Sequence, residues 1–266
     1  MKIWLFVLLL FLVGCAAAEE STPLEEPIAF ITEPALIGKE TVKQTNIDKP
    51  RKRPPAPTQI AYITIDDGPT RDVTPQILDT LRDHDVKATF FILPKKDVDD
   101  LYERIRREGH TVGNHSESHD YNRLYGDETF FREDLARAAA FIEEKFGEHA
   151  TLFRFPGGSM GWPSAAIARR KEILEELGYT YFDWDASNGD TAPGPESRDP
   201  TVLTANVMAK ADGHNQLVIL MHDSAGKTPT AESLPQIIEQ LKTAEYAFDT
   251  LDHYERNERR LNATEV

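Results

Sequence analysis

Thr64-Ile65-Asp66-Asp67-Gly68-Pro69 ends an apolar run, Ile60-Ala61-Tyr62-Ile63-Thr64-Ile65, and leaves two adjacent carboxylates where that run stops. β-branched and aromatic residues at these positions predict a buried strand. Gly68-Pro69 predicts the turn that closes it. Successive side chains of a strand point to opposite faces, so Asp66 and Asp67 cannot both sit in an ordinary packed sheet. At least one must face something polar. Asp-Asp-Gly is also common turn sequence, so the meaning of the pair depends on what surrounds it.

Working outward from this stretch, further short apolar runs predict strands over 87–93, 111–114, 152–155, 179–184, 217–221 and 246–250. Segments of helical period lie between them, over 74–83, 98–108, 128–146, 164–177, 200–212 and 232–243. Strand alternating with helix implies parallel β/α units. Seven such strands in one domain predict an α/β fold, a distorted (β/α)7 barrel spanning 58–252. In such barrels the chemistry gathers at the C-terminal ends of the strands. The polar residues of this chain fall there: Asp66 and Asp67 after the first strand, His115 and His119 after the third, and Arg154 at the end of the fourth. Asp190 follows the fifth, and His222-Asp223 ends the sixth.

His115 and His119 are spaced i, i+4, which on a helical turn places two imidazoles on one face. With a nearby carboxylate they form a two-His, one-Asp set that leaves coordination positions open, the pattern of a catalytic cation site. Such ligands suit Zn2+, with Co2+, Mn2+ or iron as alternatives.

Four ordered segments carry a family resemblance: Thr64-Ile65-Asp66-Asp67-Gly68, His115-Ser116-Glu117-Ser118-His119, Arg154-Phe155-Pro156-Gly157-Gly158 and Leu217-Val218-Ile219-Leu220-Met221-His222. Together they resemble the signatures of NodB-homology polysaccharide deacetylases, carbohydrate esterase family 4. The resemblance implies that Asp67, His115 and His119 hold the metal and that Asp66 is the general base. His222 would be the general acid, Arg154 the partner that keeps Asp66 charged and oriented, and Asp190 the carboxylate that orients His222. It further implies an oxyanion donor in the Gly157 N–H and a methyl-lining side chain in Leu220. The family often carries an aromatic residue where Gly157 stands and a Trp where Thr191 stands. Trp162 is then either a replacement stacking surface for a sugar or ordinary loop packing.

The chain has 45 acidic and 30 basic residues, a formal charge of −15. That balance argues against a nucleic-acid partner, whose phosphates need Lys and Arg. The start reads as a secretory signal over 1–14: Met1-Lys2, an apolar run of 11 residues from Ile3 to Val13, then Gly14. Such a run is too short to span a bilayer as a helix. Leu12-Val13-Gly14-Cys15 resembles a bacterial lipobox, which implies lipidation of Cys15, the only cysteine of the chain. Residues 15–57, with seven prolines from Ala16 onward and scattered charge, read as a disordered tether. Residues 253–266 read as a solvated, polar helical tail.

These readings predict a secreted, membrane-anchored, monomeric hydrolase that removes acetyl groups from an N-acetylated glycan. Peptidoglycan is the leading substrate, with chitooligosaccharides and O-acetyl xylan as alternatives. A glycan-binding lipoprotein without turnover is the rival from another class.

Overall fold

A computed structural model describes residues 57–262. The signal sequence, Cys15 and nearly all of the tether lie outside the described residues. The strands are β1 (Gln59–Asp66), β2 (Thr89–Ile92), β3 (Thr111–Asn114), β4 (Leu152–Phe153), β5 (Thr180–Tyr181), β6 (Ala186–Ser187), β7 (Gln216–His222) and β8 (Tyr246–Phe248). The helices are α1 (Thr74–Asp83), α2 (Asp99–Arg107), α3 (Tyr121–Gly126), α4 (Glu128–Phe146), α5 (Ser164–Glu176), α6 (Pro200–Ala211), α7 (Thr228–Thr243) and α8 (Tyr254–Asn262). All ladders are parallel, in the order β5-β4-β3-β2-β1-β7-β6, and β8 pairs with the start of β1. The sheet curls into a barrel left open between β5 and β6. These two short strands share one crossover, so the seven expected β/α units are present. Among the described residues, no helix is long and apolar enough to cross a membrane.

β1 and β7 pair along seven residues, from Ile60↔Gln216 to Asp66↔His222. Both are buried on two faces, which is why they read as continuous apolar runs instead of alternating ones. The two faces nevertheless differ. Ala61, Ile63, Ile65, Leu217, Ile219 and Met221 pack outward into the large core beneath the helices. Ile60, Tyr62 and Val218 turn inward with Phe91 to fill the barrel. By the period of two, Thr64, Asp66, Leu220 and His222 also point inward, at the C-terminal end.

The helices end where their sequence allows. Asp127 caps α4, its carboxylate accepting the Phe130 N–H (3.1 Å), and Gly147 ends that helix in a left-handed conformation (φ 74°). Asp199 caps α6 through the Thr201 N–H (2.8 Å). α7 starts four residues before the expected Glu232, because Pro229 fits its first turn.

Four elements depart from expectation. The 152–155 and 179–184 runs form strands of only two residues each, since β5 is the edge strand, β4 is its neighbour, and both soon turn into loops. α3 was not foreseen: at six residues it is too short to show a period. The polar tail is helical as expected, but one side is docked: Asn257 is buried and donates to Tyr62 Oη (3.0 Å) and Asp249 Oδ2 (2.8 Å).

Candidate active site

At the open C-terminal end of the barrel, Asp66, Asp67, His115, His119, Tyr121, Gly157, Trp184, Thr191, Leu220 and His222 line one cavity of about 230 Å³. Asp66 and His222 are directly paired residues on adjacent strands, which sets a carboxylate and an imidazole side by side. Asp67 enters the same cavity because it leaves the strand in a left-handed conformation (φ 78°). The alternation of faces ends with Asp66, so both carboxylates reach one space. Such a backbone is uncommon outside glycine and is typical of sites where surrounding structure fixes it.

Arg154 is fully buried and holds Asp66. Its Nη1 donates to Asp66 Oδ1 (3.0 Å) and to Thr64 Oγ1 (2.5 Å), two residues on the same face of β1. Nε and Nη2 donate to the carbonyls of Phe182 (2.9 Å) and Asp183 (3.1 Å). The guanidinium lies 4.3 Å over the Phe91 ring. Phe91 can lie there because residue 113 is glycine: a Cβ at Gly113 would come within 2.4 Å of the ring. Burial lowers the Arg154 pKa and the Asp66 charge opposes that shift.

The segment from His115 to His119 is not a helical turn, contrary to the i, i+4 expectation. Ser116 (φ 73°) and His119 (φ 53°) are left-handed, and side chains hold the loop. Asn114 Oδ1 accepts the Ser116 N–H (2.9 Å) and Ser116 Oγ accepts the His119 N–H (3.0 Å). Asp134, fully buried on α4, accepts the N–H groups of Glu117 (2.7 Å) and Ser118 (3.0 Å). Asp134 is a positioning residue that sequence reading missed. Its one signal was a carboxylate on the apolar face of α4, between Phe131 and Leu135. His115 Nδ1 donates to the Arg154 carbonyl (2.9 Å), which leaves Nε2 as the lone-pair nitrogen facing the cavity.

Asp67 Oδ1 lies 3.5 Å from His115 Nε2 and 3.3 Å from His119 Nε2. It is buried, yet no hydrogen bond satisfies it. Ligand atoms from these three residues lie within 4.8 Å of one another. A buried unpaired carboxylate oxygen and two imidazole nitrogens converging in this way fit a divalent cation. Burial pushes the Asp67 carboxyl up, but the nearby His115 and His119 imidazoles, together with charge from His115 and His222, outweigh it and hold the group well below the usual carboxylate range.

His222 Nδ1 bonds Asp190 Oδ1 (2.8 Å), while Asp190 Oδ2 accepts the His222 N–H (2.9 Å) and Thr230 Oγ1 (2.7 Å). Burial lowers the His222 pKa, but the Asp190 hydrogen bond and charge more than offset it, and the net shift is upward. Asp223 does not join the cavity. It turns outward to accept Thr74 Oγ1 (2.5 Å), and burial pushes its carboxyl up to about 7.

Gly157 lines the cavity at φ 74°, and a side chain there would point at Tyr121 (3.4 Å) and Trp162 (3.5 Å). Trp162 packs at a tilt against Tyr125 (4.6 Å) and Tyr121 (5.3 Å) and does not line the cavity. Of the two readings of Trp162, this packing matches the loop-packing one, and the aromatic ring that lines the cavity here is Tyr121, 5.0 Å from His119. Trp184 forms another part of the wall.

A family model for polysaccharide deacetylases matches residues 53–182. Over 195 residues the chain is 34% identical to a Bacillus cereus peptidoglycan-N-acetylglucosamine deacetylase, covering 72% of this chain and 68% of that protein. The chain belongs to the polysaccharide deacetylase family. The deacetylase is also 34% identical, over 193 residues, to Listeria monocytogenes peptidoglycan-N-acetylglucosamine deacetylase PgdA. That match covers 71% of this chain but only 37% of the relative's length. The catalytic domain of a Eubacterium rectale peptidoglycan N-acetylglucosamine deacetylase superposes with a TM-score of 0.67 at 33% identity, over 75% of this chain and 90% of that one. The family is metal-dependent, consistent with the cation fit of the deacetylase's Asp67, His115 and His119.

Proposed function

We propose that this deacetylase removes N-acetyl groups from the glucosamine units of peptidoglycan and releases acetate, with Zn2+ as its cation. The observation that carries the reading is the carboxylate–imidazole pair beside the cation site. Asp66, held by Arg154, and His222, held by Asp190, occupy paired positions of β1 and β7. A base and an acid both fixed within one cavity are what amide hydrolysis needs.

A cation bound by Asp67, His115 and His119 would polarise the acetyl carbonyl and lower the pKa of the attacking water. Arg154 holds Asp66 Oδ1, which leaves Oδ2 to take a proton from that water. The Gly157 N–H, which has no hydrogen-bond partner among the described residues, would stabilise the developing oxyanion. With Nδ1 tied to Asp190, His222 delivers a proton from Nε2 to the departing nitrogen. Leu220, on the same inward face, provides apolar surface for the acetyl methyl.

Acetate release from purified peptidoglycan, chitin oligomers and acetyl-xylan, assayed in parallel with the zinc-loaded protein, tests this. Release from peptidoglycan supports it, release only from another polymer moves the substrate, and none from any favours a glycan-binding role. The lipobox-like Leu12-Val13-Gly14-Cys15 supports an anchored, extracytoplasmic location beside the wall. Membrane partitioning unchanged in Cys15→Ser would remove that part of the proposal.

A further inference from the structure

We infer that a second cavity beside the cleft is a subsite for a carboxylate carried by the sugar next to the one deacetylated. The inference rests on the deacetylase reading above and deepens it. The cavity, of about 470 Å³, lies between the loop after β6 and the loop after β7, and it shares Asp190 and Thr191 with the catalytic site. Its charged lining residues are Asp190, Arg198 and Lys227.

The Asp190 carboxylate is turned to His222 and Thr230, which engage both its oxygens. Lys227 Nζ donates to the Asp190 carbonyl (2.5 Å), which fixes the ammonium on the wall. Arg198 ends the short 3-10 turn Pro195–Arg198 and is exposed. Among the described residues neither cation makes an ion pair. Glu196 shares the turn with Arg198, and its carboxylate lies against Gly194, a lining residue. The chain has 45 acidic against 30 basic residues. Arg198 and Lys227 therefore open on one cavity beside the catalytic site, and with Lys227 fixed on the Asp190 carbonyl, Arg198 is the cation left to meet an anion. A guanidinium fork suits a carboxylate in particular. Chitin-like polymers are neutral and leave this charge unanswered. A wall glycan carries carboxylates on its 3-O substituents, either the lactyl group itself or the peptide attached to it.

The test measures kcat/KM of the full, zinc-loaded chain and of Arg198→Gln and Arg198→Lys. The substrates are chitotetraose, a peptide-free muramoyl oligosaccharide and a peptide-bearing strand. Arg198→Gln is expected to lose about three- to fivefold through KM on a carboxylate-bearing substrate, the worth of a partly exposed charge pair. Chitotetraose is expected to be unaffected, and Arg198→Lys to recover part of the loss. A loss confined to the peptide-free oligosaccharide assigns the lactyl carboxylate, and a loss confined to the strand assigns the peptide. Equal loss on all three substrates, or loss on none, overturns the subsite. If the unmutated chain hydrolyses none of the three, the deacetylase reading fails instead.

Discussion

Asp66→Asn is expected to lower kcat on the glycan by about 10²- to 10⁴-fold, the usual worth of a positioned base, with the cation still bound. Asparagine keeps the shape of Asp66 and an oxygen for Arg154 Nη1, but it cannot take a proton from water. The substitution also removes the counter-charge of a guanidinium that is fully buried. Removing one partner of a buried pair outright costs about 3–5 kcal/mol. Here the cost should be smaller, because Thr64 Oγ1 and the Phe182 and Asp183 carbonyls still hold Arg154. Activity, Co2+ absorption and thermal unfolding should therefore be read together. A folded, cation-binding, inactive protein assigns the base to Asp66. Activity within tenfold of the original would place the base elsewhere.

His222→Ala separates leaving-group protonation from attack. On the glycan amide the loss should again be about 10²- to 10⁴-fold, because an amine cannot leave without a proton. On an activated aryl acetate, whose leaving group departs as an anion, the loss should be below about tenfold, since the acid adds little there. Equal losses on both substrates would mean that His222 acts on attack or on folding. The pH profile carries the same information. Burial lowers the His222 pKa and Asp190 raises it by more, so the protonated acid persists to higher pH than in free histidine. Asp190→Asn should move the alkaline limb of kcat to lower pH. The sign for stability follows: a histidine whose folded pKa is raised favours the fold while protonated. Its contribution is complete below the unfolded value near 6.5 and is lost as pH rises through the folded one.

The sequence by itself determined the β/α alternation and the address of the chemistry. The apolar runs of β1 and β7 are long, buried on both faces and therefore legible. Placing polar motifs at the ends of predicted strands then located Asp66, Asp67, His115, His119, Arg154, Asp190 and His222 at one rim. The short pairs β4, β5 and β6 were blurred, because two residues at an open barrel edge leave no period to detect.

Tertiary structure decided what local pattern could not encode. The two histidines converge through a left-handed loop tied to Asp134, a residue on another element, so the helical spacing that suggested them was not the geometry that joins them. Asp67 reaches the cavity only because its backbone turns out of the strand. The aromatic wall near Gly157 comes from Tyr121, 36 positions earlier on a helix too short to announce itself. Asp223 was drawn away by Thr74 across the fold. Strand burial and its period of two are written along the chain. Which distant side chain satisfies a given buried polar group depends on how the helices and loops pack over the barrel.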